Sequence, residues 1–274
     1  MRIKEALAYG YKLVGSQSES RILLSYATKF SQEYLIGHSL DFLAKETIDI
    51  FQQMLDRRVL KEPIAYILGY KEFYGRNFSV DRNVLIPRAD SEVLIDAVIE
   101  DSSDYLSILE LGAGSGCLIL TLLLEIENAR GLAVDISSSA LKIAVKNMTE
   151  YNLEDRCTFL ESNWFDDIKD TYDIIISNPP YISKNDKYLM ADETLVYEPQ
   201  NALYADNDGY QSYEKIASRI DDFLKPKGKI FLEIGINQEQ EIERIFNFVG
   251  YSVSKQYKDL AGIVRVLKLE KQKM

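Results

Sequence analysis

The chain carries the stretch YDIIISNPPY at residues 172–181. Its apolar run at 174–176 consists of β-branched residues on consecutive positions, which predicts a strand buried on both faces in the middle of a parallel sheet. Pro179 and Pro180 have no backbone N–H and fix φ, so they end the strand and leave carbonyl groups that no sheet or helix uses. Ligands of open α/β sheets bind at the carboxyl ends of the strands, which is where we expect Asn178 to lie.

The side chains of this turn indicate what it binds. The side-chain oxygen of Asn178 and the carbonyl of Pro179 are hydrogen-bond acceptors, and Tyr181 offers a ring against which a planar group can lie. The turn therefore predicts a site for a flat group that carries an NH2. The alternative is an ordinary proline-rich turn, which explains the two prolines but neither the Asn before them nor the Tyr after them.

The sequence Asn-Pro-Pro-Tyr at 178–181, placed after a buried strand, resembles the signature of the S-adenosylmethionine-dependent amino-methyltransferases, which methylate planar nitrogens. Two groups share this signature: the adenine-N6 methyltransferases and the glutamine side-chain-amide methyltransferases. The motif by itself does not choose between them.

A glycine-rich loop predicts a second part of the site. The strand at 106–111 is followed by GAGSG at 112–116, where alternate glycines let the backbone turn tightly and approach a ligand. The next strand ends at Asp135, ~20 residues beyond, a spacing typical of a carboxylate that accepts both ribose hydroxyls. Loop and carboxylate also suit a nicotinamide-dependent dehydrogenase, but with the turn at 178–181 they favour S-adenosylmethionine. Glu110 either positions the ammonium group of that cofactor or is a plain carboxylate at a strand end.

Composition excludes several classes of protein. With 46% hydrophobic and 27% charged residues, the 274-residue chain is expected to be soluble and globular, with one large and one small domain. A net charge of -11 has the wrong sign for neutralising many phosphates, so generic nucleic-acid binding is disfavoured, although a local basic patch remains open. No apolar run approaches the ~18 residues of a membrane span. We expect a cytoplasmic protein that contacts no membrane.

Cysteine and histidine usage argues against a metal or a disulfide. Cys117 and Cys157 are isolated among apolar residues, which is typical of reduced core cysteines in a cytosolic protein. His38 is the only histidine and lies far along the chain from the motif, so we expect it at the surface or at a helix end. No spacing of Cys and His typical of a metal site occurs, and no metal cofactor is expected.

Periodicity divides the chain into two domains. Apolar residues at helical spacing predict a small helical amino-terminal domain over 1–72, which is either a structural cap or a docking module. Alternation and turn residues over 73–86 predict a β-hairpin linker. Strands and helices then alternate, which predicts an α/β domain over 87–274, closed by an antiparallel pair at 251–257 and 263–269. Together with the resemblance, this indicates a Rossmann-like S-adenosylmethionine methyltransferase sheet.

A narrower resemblance covers nearly the whole chain, including its amino-terminal segment. The chain is similar to the release-factor glutamine methyltransferases, the HemK or PrmC family, in stretches at 62–69, 86–88, 178–182, 198–199 with 202–203, 208–209 and 232–235. The resemblance implies methyl transfer from S-adenosylmethionine to the side-chain amide nitrogen of the glutamine in the Gly-Gly-Gln motif of peptide chain release factors. It also implies that these factors are its protein partners, and we expect the enzyme to be a monomer.

The same resemblance implies roles for individual residues. The residues implied for cofactor binding are Gly112, Ala113, Gly114, Ser115, Gly116, Asp135, Trp164 and Asn178. Those implied for holding and methylating the substrate glutamine are Asn178, Pro179, Pro180 and Tyr181. Trp164 is either a core residue or lies beside the adenine, and the second alternative is favoured because the third strand of this fold adjoins the cofactor.

The chain departs from the usual family pattern at two places. Where the family usually has Pro-Arg-Pro-Glu-Thr-Glu, residues 87–92 read PRADSE, which conserves charge at Asp90 but places Ala89 at a proline position. Asn163 stands where the family often has Asp, so a carboxylate beside the adenine is in doubt. The main rival function is adenine-N6 methylation, which needs a basic recognition region. A non-catalytic binding protein is the third possibility, and the intact loop, carboxylate and turn argue against it.

Overall fold

The computed structural model describes residues 1–101, 106–183, 185–186 and 190–272. The chain forms two compact units. The first contains Met1–Tyr70 and Ala191–Tyr197, and the second contains Lys71–Met190 and Glu198–Met274.

The first unit is built from helices, which confirms the predicted helical amino-terminal segment. Its helices are α1 (Ile3–Val14), α2 (Gln17–Thr28), α3 (Gln32–Gly37), α4 (Lys45–Val59), α5 (Ile64–Leu68) and α9 (Asp192–Tyr197). α2 begins after Ser16, whose hydroxyl accepts a hydrogen bond from the backbone N–H of Glu19 and so satisfies a free donor of the first turn. The apolar faces meet in a small core that includes Ile3, Leu23, Leu24, Leu35, Phe51 and Leu55.

A hairpin of two short strands, β1 (Tyr70–Phe73) and β2 (Arg76–Ser79), follows the helices. Its turn residues Tyr74 and Gly75 both have positive φ, of 50° and 73°, as a tight hairpin turn of the primed type requires. The strands therefore begin before residue 73 and end before residue 86. The placing of domain boundaries at 72 and 86 stays a prediction.

The second unit contains a seven-stranded sheet. Its strands are β3 (Ser107–Leu111), β4 (Arg130–Asp135), β5 (Cys157–Glu161), β6 (Tyr172–Ser177), β9 (Leu224–Glu233), β10 (Tyr251–Lys258) and β11 (Val264–Lys271), in the spatial order β10-β11-β9-β6-β3-β4-β5. The five strands from β9 to β5 run parallel, whereas β11 is antiparallel to both of its neighbours, β9 and β10. The predicted Rossmann-like sheet and its closing antiparallel pair are confirmed.

The sequence pattern of β6 explains its central position. Ile174 and Ile176 pack in the core on one face of the sheet, and Ile175 packs in the core on the other. Successive side chains of a strand point to opposite faces, so an unbroken apolar run fits only a strand covered on both sides. Burying each isoleucine contributes about 1.5–3 kcal/mol.

Helices cover both faces of the sheet. One face is packed by α6 (Glu92–Glu100), α7 (Cys117–Glu125) and α8 (Ser138–Glu150), and the other by α10 (Gln211–Phe223) and α11 (Glu239–Phe248). Two-residue strands β7 (Ile182–Ser183) and β8 (Tyr204–Ala205) form a separate parallel pair after β6. Short 3-10 helices lie at Ala89–Ser91, Gln200–Ala202 and Asn207–Gly209. Among the helices so described, none has the length and apolarity needed to cross a bilayer.

Candidate active site

A cavity of about 270 Å³ opens where β3, β4 and β6 end. This is the edge of a parallel sheet at which α/β proteins bind ligands. The predicted site residues that line it are Gly112, Gly114, Asp135, Trp164, Asn178 and Pro180. The fold thus brings the glycine loop, the carboxylate and the turn after β6 to one space.

The glycine loop is hydrogen-bonded to β4 on one side and open on the other. The backbone N–H groups of Gly112 and Ala113 both donate to the carbonyl of Val134, at 2.8 and 2.9 Å. Gly112 and Gly114 have φ of 82° and 54°, a backbone region that side chains disfavour. A Cβ built on either glycine would meet no atom within 4 Å, so the space in front of the loop is free for a ligand.

The other loop residues shape the loop from inside the protein and do not line the cavity. Ala113 and Ser115 are buried, and the Ser115 carbonyl accepts a hydrogen bond from the Asn147 side chain. A Cβ on Gly116 would lie 2.9 Å from the ring of Phe159, so glycine is required there by crowding as well as by its φ of 77°. Their predicted contribution to cofactor binding is therefore through the backbone shape.

Asp135 is fixed by two backbone donors. Its Oδ2 accepts from the N–H of Gly114 at 2.9 Å, and its Oδ1 accepts from the N–H of Ser137 at 2.8 Å. Each carboxylate oxygen can accept a second hydrogen bond. The side chain is thus oriented in advance and still has acceptor capacity toward the cavity.

Trp164 combines the two alternatives considered for it. It is half-buried and packs against the core formed with α10 and α11, and it also lines the cavity. Its φ of 56° turns the chain sharply after β5. The neighbouring Asn163 lines the cavity too, and its amide donates to Asp166 at 3.3 Å.

Two oxygen atoms of the turn after β6 have no hydrogen-bond partner in the described part of the chain. The Nδ2 of Asn178 donates to the hydroxyl of Ser91 at 3.2 Å, which leaves Oδ1 as the side-chain atom available to a ligand. Within the described ranges, no group donates a hydrogen bond to Asn178 Oδ1 or to the carbonyl of Pro179. Pro180 lines the cavity, whereas Pro179 is buried.

Tyr181 does not line this cavity. Its ring packs against the core on the face of the sheet covered by α10 and α11, and burial raises the pKa of its hydroxyl to about 12. Its carbonyl accepts a hydrogen bond from Gln238 Nε2 at 3.1 Å. The structure therefore places Tyr181 as an anchor of the turn, and its predicted contact with the planar substrate group stays a prediction.

Three residues that sequence reasoning missed hold Tyr181 in place. Gln238 bridges two backbone groups, since its Oε1 also accepts from the N–H of Gly235 at 2.9 Å. A Cβ on Gly209 would lie 2.3 Å from the Tyr181 carbonyl oxygen, and a Cβ on Gly235 would lie 3.1 Å from the Tyr181 ring. Both glycines fall within stretches that carried the family resemblance, but nothing in the sequence indicated what they contact.

Two buried glutamates near the cavity have structural partners. Glu110 does not line the cavity, its carboxylate accepts from the N–H of Ile119 at 3.2 Å, and burial raises its pKa well above the ordinary range. Glu198 accepts from the N–H of Ile86 at 3.1 Å and from the Arg88 guanidinium at 2.6 Å. Glu198 thereby ties the segment before α6 to the loop after β7, and both segments contribute to the cavity wall.

Neither the two cysteines nor the histidine lines the cavity. Cys117 and Cys157 are free and buried, and burial raises the pKa of each thiol to about 12. His38 is exposed at the end of α3, as predicted, where its ring stacks on Tyr34 at 3.8 Å between centroids. Among the residues that the structure describes, no group of three or more His, Cys, Asp or Glu side chains could hold a metal ion.

The sequence is similar to known families and proteins along most of its length. Residues 89–211 match the family described as methyltransferase small domain, and residues 13–69 match the PrmC N-terminal domain. The chain is 44% identical to a bifunctional methyltransferase of Rickettsia felis over 92% of this chain and 54% of that protein. It therefore spans about half the length of the first curated relatives it matches.

Two further comparisons bear on family and fold. The crystal structure of a methyltransferase from Pyrococcus furiosus matches with a TM-score of 0.56 at 18% identity, covering 81% of this chain and 100% of that one, which shows the fold. A release factor glutamine methyltransferase of Neisseria gonorrhoeae is 37% identical over 90% of this chain and 91% of that protein. The present chain, with its PrmC-type amino-terminal segment and methyltransferase sheet, belongs to the family of the release factor glutamine methyltransferases.

Proposed function

We propose that this protein transfers a methyl group from S-adenosylmethionine to the side-chain amide nitrogen of the glutamine in the Gly-Gly-Gln motif of peptide chain release factors. The observation that carries the proposal is the pair of unclaimed acceptors, Asn178 Oδ1 and the Pro179 carbonyl, at the end of the central strand. An amide NH2 has two hydrogens to offer to two such oxygens. The membership of the family described above supports the choice of a glutamine amide.

The residues around the cavity fit S-adenosylmethionine. The open space before Gly112 and Gly114 admits a ligand close to the backbone, and the doubly anchored Asp135 can accept the ribose hydroxyls. Trp164 offers an apolar surface for the adenine. When bound, this cofactor supplies a methyl group made electrophilic by its sulfonium.

The protein contributes mainly by aligning the substrate nitrogen with the methyl group. The lone pair of an amide nitrogen is delocalised into its carbonyl, which makes the nitrogen a poor nucleophile, so a fixed approach to the methyl carbon contributes most. Asn178 Oδ1 and the Pro179 carbonyl would each accept one N–H and set that direction. The nitrogen gains positive charge as its bond to carbon forms, so both acceptors stabilise the transition state more than the ground state.

The proposal extends to partners and location. Release factors are the expected partners, and the charge of -11 disfavours generic nucleic-acid binding. We expect the protein to act as a monomer in the cytoplasm.

The test is to incubate the protein with S-adenosylmethionine labelled in its methyl group and with either a release factor or duplex DNA. We expect label on the motif glutamine, located by peptide mass spectrometry, and none on DNA. Label on adenine would replace the proposal by adenine-N6 methylation. Binding of S-adenosylmethionine without label on either substrate would indicate a non-catalytic protein.

Changing Asp135 to alanine should weaken S-adenosylmethionine binding by ~1.5–3 kcal/mol, roughly 10- to 150-fold in Kd, because charge-assisted hydrogen bonds to the ribose are lost. Calorimetry measures the effect, and wild-type protein should bind one molecule per chain and no NAD. Asp155, an exposed aspartate that does not line the cavity, provides the matched control Asp155→Ala. Tight NAD binding in place of S-adenosylmethionine would contradict the cofactor assignment.

A further inference from the structure

Three polar side chains meet where β6 and β9 end. These strands are parallel neighbours, and Ser177 pairs with Leu232, so the next residues, Asn178 just after β6 and Glu233 at the end of β9, lie side by side. Ser91, at the start of α6, accepts the Nδ2 hydrogen bond of Asn178. Glu233 is only 2% exposed and Ser91 only 3%, so water does not compete for these groups.

Glu233 is a buried carboxyl with spare acceptor capacity. Its Oε2 has no hydrogen-bond partner within the described chain. The hydroxyl of Ser91 and the amide of Asn178 are the neutral side chains that stabilise its ionised form. A buried carboxyl with an unused oxygen lowers the stability of the fold.

We propose that Ser91 and Glu233 are positioning residues that determine which atom of the Asn178 amide faces the substrate. The proposal rests on the function proposed above, because it concerns the acceptor that reads the substrate NH2. It follows from which atoms of the Ser91 hydroxyl, the Asn178 amide and the Glu233 carboxyl can donate a hydrogen bond and which can only accept one.

Ser91 alone cannot fix the orientation of Asn178. A serine hydroxyl both donates and accepts, so it could accept from Nδ2 or donate to Oδ1 if the amide turned over. An ionised Glu233 removes this freedom because a carboxylate only accepts. It accepts a hydrogen bond from the Ser91 hydroxyl, whose oxygen then accepts one from Asn178 Nδ2, and Oδ1 is left for the substrate.

A neutral Glu233 reverses this polarity. Its O–H can donate to Ser91, and the Ser91 hydroxyl can then donate to Asn178 Oδ1. The amide would turn its Nδ2 toward the substrate. The N–H groups of Nδ2 would then face the N–H groups of the substrate, and donors cannot bond to donors. The neutral carboxyl thus gives an enzyme that lacks its side-chain acceptor.

Glu233 changes charge near neutral pH. Burial raises its pKa to about 7; Ser91, Arg265 and Asn178 oppose the rise, and Asp90 adds to it. Arg265 is already paired with Asp90 at 2.7 Å and with Asp259 at 2.8 Å, so its charge is shared.

The remaining titratable groups around Glu233 stay neutral in this range. They are Tyr213 on α10, whose hydroxyl donates to the Glu233 carbonyl, Tyr181 after β6, and Cys117 on α7. Burial raises the pKa of Tyr181 and of Cys117 to about 12, and that of Tyr213 well above its ordinary value. Raising the pH through about 7 therefore ionises Glu233 within this group, and kcat should rise with it.

The central variant is Glu233→Gln, which keeps the shape but adds a permanent donor and so mimics the neutral carboxyl. We expect kcat at pH 8 to fall between about tenfold and 10²-fold, with KM for the release factor little changed and the rise of kcat through pH 7 lost. Ser91→Ala should also lower kcat, and Ser91→Thr should restore it because threonine keeps the hydroxyl. Glu62→Gln, a buried glutamate of the first unit, is the control and should keep the pH profile.

A second readout does not depend on activity. The side-chain amide signals of Asn178 in ¹⁵N NMR should shift with pH around 7 in wild-type protein and not in Glu233→Gln. This measurement keeps its meaning if the wild type methylates no glutamine, an outcome that would end the proposed function alone. Melting temperature and S-adenosylmethionine affinity identify variants that fail to fold, and the Ser91 pair then carries the test. Wild-type kcat and an unchanged pH step in Glu233→Gln, or equal loss in Ser91→Ala and Ser91→Thr, would overturn the proposal.

Discussion

Replacing Asn178 by alanine is expected to lower kcat by 10²-fold or more, which corresponds to about 2.7 kcal/mol of transition-state stabilisation. The variant loses the free Oδ1 acceptor and the Nδ2 bond to Ser91 at the end of β6. The nitrogen becomes positive only as the methyl group arrives, so the loss should fall on kcat more than on release-factor binding. Methyl incorporation under single-turnover conditions measures the step directly.

The matched control is Asn247→Ala, on the exposed surface of α11, where the side chain bonds only to Gln272 among the described residues. It should keep wild-type turnover. Near-normal turnover in Asn178→Ala would mean that the stretch at 178–181 is only a turn, and the mechanism proposed here would be wrong.

Changing the glutamine of the release-factor motif to glutamate is expected to abolish methyl transfer. A carboxylate has no N–H to donate, so Asn178 Oδ1 and the Pro179 carbonyl would both lose their partners. Its negative charge would also approach two acceptor oxygens and, above pH 7, the nearby ionised Glu233. The lost hydrogen bonds and the charge repulsion both act on the side-chain group that would have to react.

Binding of the whole release factor should survive that change, because most of a protein interface does not depend on one side chain. Titration calorimetry or a pull-down, with the unmodified factor as the reference, measures whether the changed factor still binds. Retained binding shows that the changed factor is not misfolded. The control substrate carries a Gln→Glu change outside the motif and should be methylated normally. Methylation of the glutamate substrate would show that the two oxygens do not read an NH2.

Local sequence determined the frame of the site. The β-branched run at 174–176 required a strand covered on both faces, and the two prolines required it to end there, as β6 does. Alternate glycines after β3 and an acidic residue at the end of β4 were likewise readable, because each depends on backbone conformation within a few residues. Gly112, Gly114, Asp135 and Asn178 accordingly line one cavity.

Family likeness added the substrate, which no pattern of spacing could supply. Acceptor oxygens at the end of a strand serve an adenine NH2 and a glutamine NH2 equally well. The choice between them rested on stretches spread over the chain from 62–69 to 232–235 and on its acidic charge, and the match of residues 13–69 to the PrmC N-terminal domain supports it.

Tertiary structure alone decided how the turn is held and which way its amide faces. Ser91 lies 87 positions from Asn178 along the chain, Glu198 lies 112 positions from Ile86, and Gln238 lies 57 positions from Tyr181. Contacts at such separations arise from strand order and helix packing and leave no local periodicity to read. The surroundings of Tyr181 were hidden from the sequence for the same reason, since Gly235 lies beside its ring and Gln238 donates to its carbonyl only in the folded chain. The charge state of Glu233 likewise depends on burial among residues from five separate segments, which only the folded chain brings together.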